Sequence, residues 1–333
     1  MIAALRRAWR ADRWLCLAFL ALSAATVLPI WIGRYLPLLD LPNHLSAIAV
    51  WHYHDDPRFD FAQHYALNLK PLPYWAHYYV VHLLAYVFGV EGGNRIFLTA
   101  YALALPGGAA LFARRFNRSP WLALFAFPLV WNFNLAEGFI AYVSGVAATV
   151  LALVVVDWHC RRPTLRSAAL VILAGSSIYF FHLLTYMLFL VCAGLLVFTQ
   201  KEAFRFTRLL ERGLPILCCA MVGIWAYQRS RDMGFGQGSG SALGFGGSGI
   251  SLAKPEFNFD ALPDILGRQP PRVLNFLASH RDEWAAIALA LSWFAIAVTA
   301  ARANDRTRID AHDLGPEVCF LVAVAAVIFL PRS

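Results

Sequence analysis

Apolar residues in this chain come in long runs with few polar interruptions, not in the alternating or one-sided patterns of a soluble fold. The runs cover 14–36, 96–113, 121–134, 139–156, 167–200, 213–227, 284–301 and 318–330. Several reach or approach the ~20 residues needed to cross ~30 Å of hydrocarbon. The run 73–90 is also apolar but carries His77 and His82. It is read as a helix lying on or dipping into the outer leaflet. The run 167–200 would make a straight helix of ~51 Å, too long for one ordinary pass, so it is read as two short passes turning near His182. The expected fold is an all-α polytopic membrane protein of about nine transmembrane helices plus one outer juxtamembrane or re-entrant helix.

Composition agrees with that class. The 333 residues are 59% hydrophobic and 14% charged, with a mean hydropathy of +0.56, whereas a soluble domain is about a quarter charged. The net charge of +8 is not a nucleic-acid signal, because the basic residues have a topological arrangement. Most of the 28 Lys and Arg fall in five clusters, at 6–13, 114–118, 161–166, 201–212 and 302–308. Cytoplasmic loops collect such residues. Placing 73–90 on the outer surface and splitting 167–200 puts all five clusters on the cytoplasmic side, with the N-terminus inside. Arg6, Arg7, Arg10 and Arg13 before an apolar start suggest a signal peptide. The apolar stretch runs on to about Tyr35, too long for that, and is read as the first span. The six cysteines lack zinc-like spacing and read as buried bulk.

The outside then holds residues 37–95, the loop "NFNLAEG" (132–138), the turn at His182, and a long loop over 228–283. The densest polar stretch is "DLPNHLSAIAVWHYHDDP" (40–57). Pro42 is placed to start a surface helix and Pro57 to end it at Asp56. Asp55 and Asp56 would then lie at the negative end of that helix, an unfavourable place for acids.

Residues 37–230 resemble the GT-C superfamily of membrane glycosyltransferases, in particular the bacterial aminoarabinose-transferase and protein O-mannosyltransferase types. The resemblance rests on an acid just outside the first span (Asp40), on "LKPLPYWAHYY" at 69–79, on "FGVEGGNR" at 88–95 with Arg95 opening the next span, and on the "YFFHLLTY" turn at 179–186. The sequence departs from the family at three points. Only the first acid of the Asp-Glu pair is kept, the second outer loop carries Glu137 instead of Asp, and His182 stands where the family turn has lysine.

The resemblance implies a polyprenyl-phosphate-linked sugar donor, bound in contact with membrane lipid, and an extracytoplasmic glycan, lipid or protein acceptor. Such transfer needs a carboxylate to take the acceptor proton and cations or a metal at the leaving phosphate. It makes Asp40 the candidate base, with Glu137 a second candidate catalytic acid. Lys70, Arg95, His44 and His182 become candidate substrate contacts. Each has a plainer alternative. Asp40 is also a helix-start acid, Lys70 a snorkelling interfacial lysine, Glu137 a solvated loop acid, and His182 a structural histidine. His44, four residues after Asp40, is placed to be its hydrogen-bond partner. His44, His52, His54, Asp55 and Asp56 are ligand types for a divalent metal. However, His44 and His52 lie two turns apart on a helix, so a solvated polar face fits the spacing better.

The segment "GFGQGSGSALGFGGSG" (234–249) lacks the flanking strand and helix of a dinucleotide site and the Gly-Lys-Ser/Thr of a P-loop, so it is read as a flexible linker. Three regions follow: a GT-C-like transmembrane module (1–230) with its external loop 37–95, a flexible glycine-rich external loop (231–283) able to close over substrate, and C-terminal transmembrane helices (284–333). The expectation is a glycosyltransferase of a bacterial inner membrane. Its rival is a non-catalytic protein of the same scaffold that binds or moves a lipid-linked substrate.

Overall fold

The computed structural model describes residues 12–67, 72–200 and 205–231. Lys70, the glycine-rich loop and the two C-terminal apolar runs lie outside them. The described residues are helical, with no strand among them. The longer helices are α1 (Arg13–Ile32), α2 (Leu41–His52), α4 (Trp75–Arg115), α6 (Ile140–Arg161), α7 (Leu165–Phe181), α8 (Leu183–Phe198) and α9 (Phe206–Arg231), with short pieces α3 (Phe61–His64) and α5 (Phe133–Glu137). Four stretches, Arg13–Ile32, Trp75–Arg115, Ile140–Arg161 and Phe206–Ala226, are long and apolar enough to cross a membrane. The chain is a helical membrane protein.

Helix α4 is not a 41-residue rod. Gly89 takes φ 70° and ψ 169°, which interrupts the helix and suits a residue without a side chain. The two halves fold back on each other. His77 bonds Asn94 at 2.8 Å, its ring meets Phe97 at 4.9 Å, and a Cβ on Gly93 would touch Val81, Leu84 and Ala85. The "FGVEGG" break thus divides the 73–90 run from the helix that follows it, and the sequence reads these as separate elements.

The run 121–134 does not form the expected α-helix. Residues Pro120–Ala126 make a 3₁₀ helix, and Pro128 withholds an N–H where a longer helix needs one. The segment still runs the length of α1. The Trp121 indole donates to Asp12 at 2.7 Å, Phe127 packs edge-on to Phe19 at 4.9 Å, and the Trp131 indole donates to the Thr26 carbonyl at 3.0 Å. Residues 121–131 therefore cover the ~21 Å that α1 covers over 12–26, a rise of ~2 Å per residue, as in 3₁₀ structure.

The split of 167–200 is borne out, because the helix breaks at His182. The two halves pack antiparallel, with Tyr179 against Tyr186 at 5.7 Å, and a Cβ on Gly175 would collide with Phe189 and Cys219. Gly175 lets α7, α8 and α9 converge on one core containing Ile178, Tyr179, Phe189 and Leu196. A second core joins α1, α2, α4 and α6 through Ile30, Ile48, Val81, Leu98 and Ile140.

Among the described residues, the basic clusters at 114–118 and 161–166 and the 205–212 part of a third gather at one end of this bundle. Arg115 and Arg161 both hold the buried Asp157 carboxylate. Close by, His159 bonds the Ser167 hydroxyl at 2.8 Å and the Glu211 carbonyl at 3.1 Å, which joins the ends of α6, α7 and α9. The Thr164–Ser167 capping box starts α7 there. Asp40, His44, Glu137 and His182 lie at the other end.

Candidate functional site

Two crossing strands of backbone build the acidic end. The Leu39 amide donates to the Ala136 carbonyl at 2.8 Å, and the Asp40 amide to the Glu137 carbonyl at 3.1 Å. Gly138, at φ 95°, closes α5 and lies flat against Asp40. A Cβ there would sit 2.7 Å from the Asp40 nitrogen and 2.8 Å from its Cβ. The glycine allows the tight turn, and it also admits Asp40.

Asp40 occupies the N-cap position of α2, with Pro42 in the first turn, but its side chain makes no capping bond. Among the described residues its carboxylate has no hydrogen-bond donor, and the group is only partly buried. The helix-start reading accounts for its position and leaves the carboxylate free to do something else. Glu137, at the end of α5, is also half-buried, and its main chain holds Asp40 in place.

His44 is not the hydrogen-bond partner of Asp40 that the spacing suggested. Its Nε2 lies 3.1 Å from the Gly138 carbonyl and its Nδ1 2.6 Å from the Tyr78 hydroxyl. A carbonyl only accepts, so Nε2 carries the proton and Nδ1 accepts from Tyr78. Burial pushes His44 below the usual histidine range, opposed by the Gly138 carbonyl and the Asp40 charge. A neutral His44 thus ties α2 to the N-terminal half of α4 and to the 132–138 loop. Tyr78, which the sequence reading did not single out, is brought in beside the acid.

His182 caps α8, its Nδ1 accepting from the Leu184 amide at 3.1 Å. The rings of Tyr74 and Tyr142 stand edge-on to it at 4.8 and 5.1 Å. Burial pushes it down to about 4, so near neutral pH it offers an Nε2–H donor and not the cation expected for a phosphate.

Arg95 is committed elsewhere. Its guanidinium donates to the carbonyls of Ile30, Trp31, Gly33 and Arg34 at 2.9–3.2 Å. It closes the C-terminal end of α1, where carbonyls lack intrahelical partners.

The other polar residues of 40–57 disperse instead of forming one ligand set. Helix α2 stops at His52, four residues before Asp56, so neither acid sits in its last turn. His54 pairs with Asp55 at 2.7 Å, which raises the histidine. Arg58 holds the partly buried Asp56 down at about 2. Among the described residues no group of three or more His, Cys, Asp and Glu is placed to hold a metal.

The structure therefore joins Asp40, His44 and Glu137 directly, sets His182 nearby across Tyr142, and gives Arg95 to the fold. Below them is a water-sized apolar void of ~10 Å³ between Leu38, Tyr101, Trp131 and Leu135. No family model matches this chain, and neither a curated protein nor a solved structure matches it.

Proposed function

We propose that this chain is a GT-C-like membrane glycosyltransferase that moves a sugar from a polyprenyl-phosphate donor to an extracytoplasmic acceptor. The observation that carries the reading is Asp40, whose main chain is pinned to Glu137 while its carboxylate accepts no bond among the described residues. A fixed backbone and an uncommitted oxygen are what a general base requires.

In this reading an acceptor hydroxyl attacks the anomeric carbon and Asp40 takes its proton. The bond from that carbon to the phosphate oxygen breaks, and polyprenyl phosphate leaves. Lys70 holds the phosphate as a point charge, Glu137 fixes the base, and the His182 Nε2–H contributes a donor. The arginine-rich end of the bundle faces the cytoplasm and the Asp40 end faces outward, in a nine-span arrangement in a bacterial inner membrane with the N-terminus inside.

The loss of the second acid of the motif, with Leu41 following Asp40, favours a second reading, in which the same scaffold binds or moves a lipid-linked substrate without chemistry. An Asp40→Asn variant at unchanged membrane abundance separates the two. Loss of the glycan modification supports transfer, and an unaltered glycan removes it.

A further inference from the structure

His52, the last residue of α2, and His82, on the N-terminal half of α4, have taken no part in the site described above. Their ring centres are 5.2 Å apart at 76°. The Nδ1 atoms of both are shielded from solvent and bonded to nothing among the described residues. Two imidazoles each leaving a buried nitrogen unmatched is an arrangement that folding disfavours unless something else satisfies it.

The rings are also held in place. Trp51 lies flat on His82 at 4.3 Å and 7°. Tyr53 and Tyr86 stand edge-on to His52 at 4.7 and 4.6 Å. On its far side the His82 Nε2 is 3.4 Å from the Tyr86 hydroxyl. A second partner on the far nitrogen is what usually orients a metal-ligating histidine.

We infer that His52 and His82 form a two-histidine site for a divalent transition metal of the zinc or copper type. The geometry fits. A zinc ion ~2.1 Å from each ligating nitrogen stands ~3.2 Å from each ring centre, so two rings at tetrahedral positions lie ~5.2 Å apart. Imidazole suits zinc and copper and does not suit magnesium or calcium. With two protein ligands the remaining positions are open to water or an anionic oxygen. The site is independent of the sugar-transfer reading, since neither histidine belongs to it.

The test is calorimetry of zinc chloride, and separately copper chloride, with the full-length chain in detergent, carrying no polyhistidine tag. Saturable binding is expected, weakened ~10-fold or more by His52→Gln and equally by His82→Gln, and unchanged by His54→Gln. In the unmodified chain, zinc is expected to slow hydrogen exchange at the C2 carbons of His52 and His82, which keeps the test valid if a variant fails to fold. Absent binding, binding that survives either single substitution, or slowing at neither histidine overturns the proposal.

Discussion

The Asp40 amide donates to the Glu137 carbonyl at 3.1 Å, joining two acids 97 positions apart in the chain. Because the bond runs through main chain, it fixes where the Asp40 carboxylate stands without using it. This end of the bundle is organised around that link, with Gly138 against Asp40 on one side and His44 bridging Gly138 to Tyr78 on the other.

Gly138→Ala tests the link directly. The residue needs φ 95°, and a methyl group would press within 3 Å of Asp40. The left-handed conformation and the overlap together are expected to lower stability by about 2–4 kcal/mol, read as thermal unfolding in detergent. An unchanged midpoint would mean that the two segments separate freely.

The His44 bridge predicts a pH dependence. The folded state lowers His44 from 6.5, so between the lowered value and 6.5 the unfolded chain binds more protons. Stability is then full above about 6.5 and declines as pH falls below it. The unfolding midpoint should drop between about pH 7 and 5, and His44→Gln should flatten that slope. A slope retained in the variant would assign it to another group.

Arg95→Ala should loosen the end of α1 by about 2 kcal/mol, since bonds to a charged donor are each worth ~1.5–3 kcal/mol but water replaces part of them. Faster amide exchange at the end of α1 is the signature. Arg95→Lys should recover little, because one ammonium cannot fork across four carbonyls. Full recovery by lysine would argue for a simple charge effect.

At the other end, Asp157→Asn leaves Arg115 and Arg161 facing each other across a buried amide. Breaking a buried pair costs ~3–5 kcal/mol. Both arginines are partly exposed, so a loss of about 2–3 kcal/mol is expected, seen as reduced abundance in the membrane and a lower unfolding temperature. A wild-type midpoint would show that other bonds hold α4 to α6.

The opposed ends make a prediction about sidedness. In a background without the six native cysteines, a cysteine at position 56 should react with a membrane-impermeant reagent on intact cells, and one at position 166 only after lysis. The reverse pattern would place the Asp40 end in the cytoplasm and end the transferase proposal.

The site was partly legible in the sequence. Asp40, Glu137 and Gly138 were visible because acids and a turn glycine are conspicuous between apolar runs. The true partner of His44 was hidden. A spacing of four pointed to Asp40, whereas its two nitrogens reach Gly138, 94 positions away, and Tyr78 on another helix. The commitment of Arg95 was hidden for the same reason, since its acceptors are carbonyls, which carry no residue signature.

Hydrophobic run length by itself determined that this is a helical membrane protein. It also fixed the break at His182, because a single ~51 Å helix exceeds the bilayer. Proline placed the start of α2, since its backbone limits are local, and the separate runs 73–90 and 96–113 marked a break between the halves of α4. Only the tertiary structure decided that Pro120–Ala126 runs along α1 as a 3₁₀ helix, that Asp40 hangs from Glu137, and that His52 meets His82. Those outcomes depend on which distant backbone groups and rings pack together, a property that no local period or composition encodes.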